Sequence, residues 1–196
     1  MAIATVVAVN STAESSPIPE ALRDVLVDKP VTLPSFHLTD QQGNPLDPSR
    51  FKNAWTFLFF GYTHCPDVCP TTLTELDNAA GPLKSANKTG NKIQYVFISV
   101  DPDRDTPKSI GDYVSYFESD FIAATGSKKQ LTQLATPLHI KFKRGIGTDT
   151  DYIVNHSSAM LLIDPQARYY ARLRAPHYAE EIVNKFKQII NYRETL

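Results

Sequence analysis

Trp55-Thr56-Phe57-Leu58-Phe59-Phe60-Gly61-Tyr62-Thr63-His64-Cys65-Pro66-Asp67-Val68-Cys69-Pro70 is an apolar run that opens into a loop holding both cysteines of the chain. Residues 55–60 are aromatic or aliphatic apart from Thr56, over the length of one strand. That predicts a central strand buried on both faces. Residues 71–83 then read as a helix, because Leu73, Leu76, Ala79, Ala80 and Leu83 recur at helical spacing. Gly81-Pro82 weakens its end.

The flanking segments extend this pattern in both directions. Upstream, residues 31–53 read as a hairpin around the Gln41-Gln42-Gly43-Asn44-Pro45 turn. Downstream, residues 93–100 form a second buried strand that opens into Asp101-Pro102-Asp103-Arg104-Asp105-Thr106-Pro107, where Asp105 or Thr106 caps a helix to about residue 117. A short strand follows at 121–125. Ser127-Lys128-Lys129-Gln130 has capping-box spacing and starts a helix to about residue 138. Residues 158–163 and 168–173 flank the turn Asp164-Pro165-Gln166-Ala167, and a last helix covers 178–191. The expected fold is α/β: a thioredoxin-like central mixed sheet flanked by helices, with an N-terminal β-hairpin. Relative to thioredoxin, the cysteine pair has three intervening residues instead of two.

The chain's 196 residues fit one domain plus tails, here 31–196 preceded by a tail and linker at 1–30. A net charge of −1 argues against a nucleic-acid surface, which needs clustered positive charge. The basic run at 141–144 reads as a solvated face. Residues 1–9 are apolar but too short to span a bilayer, and no Lys or Arg precedes them. They read either as the end of a membrane anchor or as a disordered N-terminus, followed by a Ser/Pro-rich linker at 10–19. Balanced charge favours a monomer.

Placing every cysteine in one tight pair leaves three chemistries: a disulfide, a redox dithiol or a soft-metal site. If both lie on the first helical turn, their Cα atoms are roughly 6.2 Å apart, which allows all three. The helix N-terminus favours thiolate over thiol, and Pro66 and Pro70 stiffen the loop. A two-sulfur metal site calls for a third ligand. His64 adjoins Cys65 on a tight turn and is expected to point away. His139 and His177 read as surface or capping residues, and His37 has no chemical context. His156, set before the late strand, is the histidine whose position suits a site over the cysteine helix. A lone histidine is nonetheless more often structural. Asp67 either tunes the sulfurs or is a solvated loop acid, Asp101 reads first as the anchor of its Asp-Pro turn, and Met160 is expected to face the core.

Three motifs in order resemble the Sco/SenC family: residues 60–70, the segment Ser99-Val100-Asp101-Pro102-Asp103-Arg104-Asp105-Thr106, and residues 151–157 with their histidine. The resemblance covers about 31–191. It implies a thioredoxin-fold copper protein assisting assembly of the dinuclear copper centre, CuA, of cytochrome c oxidase. By the same resemblance, copper as Cu(I) or Cu(II) is held by Cys65, Cys69 and His156, and the two cysteines also cycle between dithiol and disulfide. The implied partner is oxidase subunit II or another copper-accepting protein. The implied location is the bacterial periplasm, facing or tethered to the inner membrane, with the mitochondrial intermembrane space as the alternative. Where relatives often carry aspartate before the histidine, this chain has Asn155.

The donor set fits that reading on chemical grounds, since two thiolates and an imidazole suit Cu(I), with Zn as the chemical rival. The competing reading is a thiol–disulfide oxidoreductase that reduces cysteines of the oxidase or of other extracytoplasmic proteins, with Cys65 and Cys69 as its redox pair. A thioredoxin-superfamily peroxidase fits poorly, because the double-cysteine loop does not resemble a peroxidatic site.

Overall fold

The structure, a computed structural model, describes residues 17–117 and 120–195. The apolar segment 1–9 and most of the 10–19 linker lie outside the described residues. A 3-10 turn at Glu20–Leu22 precedes β1 (Leu26–Thr32), β2 (Leu38–Asp40), β3 (Pro45–Leu46) and a second 3-10 turn at Pro48–Phe51. Then come β4 (Ala54–Gly61), α1 (Val68–Ala86), β5 (Lys92–Ser99), α2 (Pro107–Val114), β6 (Phe121–Thr125) and α3 (Lys128–Ala135) with a 3-10 extension at Thr136–Leu138. The chain continues through β7 (Phe142–Gly147), β8 (Tyr152–His156), β9 (Met160–Ile163), β10 (Arg168–Leu173) and α4 (Ala179–Arg193).

Eight strands form one mixed sheet in the order β1-β10-β9-β4-β5-β6-β2-β3, and β7 and β8 form a separate two-stranded ribbon. The expected α/β architecture is present. β4 lies at the centre, parallel to β5 and antiparallel to β9, with all eight of its residues buried. Each large apolar side chain buried in such a strand stabilises the fold by about 1.5–3 kcal/mol, which is why this run dictates the sheet. The parallel register sets Gly61 beside Ser99, so the loops leaving β4 and β5 emerge next to each other at the strands' C-terminal ends. Ligand sites of α/β sheets favour this edge.

The N-terminal hairpin is β2–β3. Asp40 Oδ1 accepts from the backbone N–H groups of Gln42 and Asn44, and Gly43 takes a φ of 85°, in the region that favours glycine. The 31–53 segment is split, however: β1 pairs with β10 on the opposite edge of the sheet. Ordered structure therefore begins before residue 31, with Leu22 fully buried and β1 in the sheet from Leu26.

Three other expectations are corrected: the ends of α1 and α2 and the cap of α3. α1 runs through Pro82 to Ala86, because Leu83 and Ala86 continue its buried face. α2 ends at Val114 instead of near 117, and α3 tightens into a 3-10 turn at Pro137. The capping box forms at Thr106/Ser109, while Ser127 supplies only half of one, since Gln130 Oε1 accepts from the His37 backbone N–H. The β7–β8 ribbon was not expected, and it changes the setting of His156.

Candidate metal centre

The site grows out of the end of β4. The chain turns after Gly61, the Cys65 N–H bonding back to the Tyr62 carbonyl at 3.2 Å, and enters α1 at Val68. Cys69 sits in the first turn of the helix and is fully buried, whereas Cys65 stands in the loop before it, half-buried. The condition that both lie on the first helical turn is thus not met. Both are free thiols, and the Cys69 N–H points at Cys65 Sγ at 3.4 Å. Gly61 makes room for them: a Cβ there would lie 2.8 Å from both Cys69 Sγ and the Phe97 ring.

The two sulfurs differ electrostatically. A hydrogen bond from Cys69, with the backbone N–H groups of Cys69 and Asp67, brings Cys65 down to about 4 against the cost of its burial. The bond to Cys65, together with burial, pushes Cys69 up. One proton is therefore held between the pair, with Cys65 as the thiolate.

His156 is the last residue of β8 and pairs with Phe142 across the ribbon, instead of standing in a loop. Its Nε2 lies 3.4 Å from Cys69 Sγ, and its Nδ1 lies 3.0 Å from the Ser157 carbonyl. A carbonyl only accepts, so in the neutral ring the proton belongs on Nδ1 and the Nε2 lone pair faces the sulfur. The Ser157 carbonyl, not the Asn155 amide, fixes the tautomer. Phe59 and Tyr62 meet the imidazole edge-on, with centroids 6.2 and 5.7 Å away. The two sulfurs and one imidazole nitrogen all lie within 4.8 Å of one another. Two sulfurs and one nitrogen at this separation fit a soft ion of low coordination number.

The remaining histidines stay out. His64 is exposed, with Nδ1 3.0 Å from the Thr63 hydroxyl, and His37 and His139 are exposed as well. His177 is neither surface nor cap: it is 6% exposed, beside the Thr72 hydroxyl at 3.2 Å and the Leu173 carbonyl at 3.2 Å. Asp67 is exposed and makes no side-chain cap, and Met160 is buried as expected.

Asp105, read from sequence only as a cap, ties the two loops together. Its buried carboxylate accepts from the Thr63 N–H at 2.9 Å, the Thr63 hydroxyl at 2.5 Å and the Ser99 hydroxyl at 2.5 Å. Asp101, 3% exposed, does more than anchor a turn: Oδ1 accepts from the Tyr152 hydroxyl and Oδ2 from Arg104 Nε, both at 2.6 Å.

The SCO1/SenC family model matches residues 27–191. The chain belongs to the SCO1/SenC family. Among its Sco relatives, the human mitochondrial protein SCO2 homolog is 35% identical over 170 residues, covering 85% of this chain and 62% of its own length. The chain thus spans less than two thirds of that relative. The crystal structure of Arabidopsis thaliana ScoI with copper bound superposes with a TM-score of 0.75 at 31% identity, covering 83% of this chain and all of that one. Bradyrhizobium japonicum ScoI with copper bound gives 0.69 at 33% identity, covering 81% and 99%. BsSco, a member of the Sco family of cytochrome c oxidase assembly proteins, shares the fold, with a TM-score of 0.60 at 18% identity, covering 82% of this chain and 95% of that one. Relatives of this Sco chain include bacterial and mitochondrial proteins, and among the described residues no helix is long and apolar enough to cross a membrane.

Proposed function

We propose that this Sco protein is a copper metallochaperone that binds one copper through Cys65, Cys69 and His156 and passes it to the CuA centre of cytochrome c oxidase subunit II. The observation that carries this reading is the convergence of two sulfurs and an imidazole nitrogen within 4.8 Å. The copper-bound Arabidopsis and Bradyrhizobium relatives support it. Copper here is cargo: a third ligand set on a ribbon apart from the cysteine loop allows it to be released by stepwise exchange onto a recipient's ligands. Loading requires both thiols reduced, which couples delivery to redox state. The proposed setting is the bacterial periplasm, at the inner-membrane face.

The deciding experiment mixes the copper-loaded protein with the copper-free soluble domain of subunit II and follows the absorption of the CuA centre. Appearance of that band with loss of copper from this chain supports the reading; retention of copper here contradicts it. A second reading, a thiol–disulfide oxidoreductase acting on oxidase cysteines, is favoured by one observation: Cys65 is held as a thiolate, about 4, in a half-exposed loop. In that case copper-free reduced protein would reduce a disulfide in the same domain, and His156→Ala would do so nearly as well.

A further inference from the structure

Among the described residues, no backbone ladder joins the element carrying His156 to the main sheet, and β8 pairs with β7 alone. Something else has to seat that ribbon. Along β8, the two-residue period puts Tyr152, Val154 and His156 on one face, and Tyr152 and Val154 are both 5% exposed. At the far end of this face the Tyr152 hydroxyl donates to Asp101 Oδ1 at 2.6 Å. Asp101 Oδ2 takes Arg104 Nε at 2.6 Å, and the Arg104 guanidinium carbon lies 3.6 Å from the centroid of the Tyr152 ring and 5.7 Å from that of Tyr62. Arg144, on the ribbon itself, lies 4.0 Å from the same Tyr152 ring. Arg104 Nη2 is buried with no hydrogen-bond partner. Leaving a buried donor unpaired is costly, so the guanidinium is kept there by its carboxylate and its two aromatic faces.

We infer that Tyr152, clamped by Asp101 and Arg104, is the positioning residue that seats β8 on the sheet and thereby holds His156 against the cysteines. This rests on the reading of His156 as a copper ligand. With the ribbon seated, all three donors converge; with it lifted, only the two sulfurs remain. The apparent affinity then falls in proportion to the seated fraction. A hydrogen bond to a charged acceptor is worth enough that its loss shifts this equilibrium by about tenfold or more. Tyr62, edge-on to His156 and 5.7 Å from the Arg104 guanidinium, joins the clamp to the site.

The test is Tyr152→Phe, which keeps the ring and its stacking and removes one hydroxyl. In the copper-free reduced protein, amide hydrogen exchange across residues 142–156 should speed up about tenfold, while amides of β4 and β5 keep their wild-type rates. Copper affinity, read by competition with a Cu(I) chelator, should fall by at most that factor, the full amount only where the lifted ribbon becomes the majority state, and the imidazole nitrogen coupling of the Cu(II) form should weaken. In a His156→Ala background, Tyr152→Phe should cost copper binding nothing further, because the clamp acts through the histidine. Arg104→Gln should shift the ribbon's exchange in the same direction. Unchanged exchange in the ribbon, or an additive loss of affinity in the double variant, overturns the proposal. If the ribbon loosens as expected but His156→Ala binds copper normally, the ligand reading fails and the seating role stands.

Discussion

His156 Nε2 stands 3.4 Å from Cys69 Sγ across 87 residues of chain, with its lone pair facing the sulfur. The contact is side chain to side chain at a half-buried position, so removing it leaves the core intact. His156→Ala is expected to lower copper affinity by at least about tenfold, the effect of losing one interaction of roughly 1.4 kcal/mol or more. Thermal unfolding should change by no more than a few degrees, and thiol–disulfide exchange should persist. Chelator competition and a thermal melt check both halves.

The unequal sulfurs predict unequal reactivity. Cys65 is brought down to about 4 by the hydrogen bond from Cys69, whereas Cys69 is pushed up and fully buried. Because the thiolate is the nucleophile, alkylation by iodoacetamide at pH 6 should label Cys65 first and Cys69 little. The Cys65 rate should stay nearly flat as pH falls from 7 and drop only near the value of about 4. Mass spectrometry of the labelled peptides reads the order, and preferential labelling of Cys69 would contradict it. In Cys69→Ala the bond is lost, and the reactivity of Cys65 at pH 6 should fall.

Burial lowers the pKa of His177 below its ordinary 6.5, so the fold prefers the neutral ring. The unfolded chain then binds the extra proton more readily, and stability rises with pH across this range. The contribution is neutral above about 6.5 and turns destabilising as the pH falls through 6.5 toward the folded value. Urea midpoints at pH 7.5 and pH 5.5 should differ more for the wild type than for His177→Gln. An equal acid loss in both would remove His177 as the cause.

Gly61 is fixed by what faces it. An added methyl would sit 2.8 Å from Cys69 Sγ and 2.8 Å from a Phe97 ring carbon, and neither the buried helix start nor the central sheet has room to move aside. Gly61→Ala is expected to cost about 1–3 kcal/mol in stability, the usual range for overpacking, and to weaken copper binding by displacing Cys69. Denaturant unfolding and a copper titration of the same preparation test both effects. A stable variant with normal copper affinity would show that the site tolerates the shift.

Much of this architecture is legible in local patterns. The run 55–60, the cysteine loop and the spacing of Leu73, Leu76 and Leu83 are short-range signals, and they locate the central strand, the cysteine loop that follows it and the buried face of α1, though not the helix's ends. The ribbon is not legible in the same way. Phe142–Gly147 carries two glycines and part of a basic run that reads only as a solvated face, and its partner strand becomes visible only as the alternation of Tyr152, Val154 and His156. The link from Asp101 to Tyr152 joins residues 51 apart, which no local pattern encodes. His177 escapes local patterns for a related reason: its burial comes from packing against α1 through Thr72, not from its own neighbours in sequence. Gly81-Pro82 reads as a weak end to the helix, yet the buried face continues past it to Ala86, and tertiary packing outweighs the local penalty.

The most direct measurement is a copper titration of the fully reduced protein under anaerobic conditions, repeated on the disulfide form and on the Cys65→Ala and Cys69→Ala variants. One copper held tightly per reduced chain, with none retained by the disulfide form or by either cysteine variant, is the predicted result. Substoichiometric copper on the reduced protein, or undiminished binding once the cysteines are oxidised or removed, would contradict a copper centre built on Cys65 and Cys69.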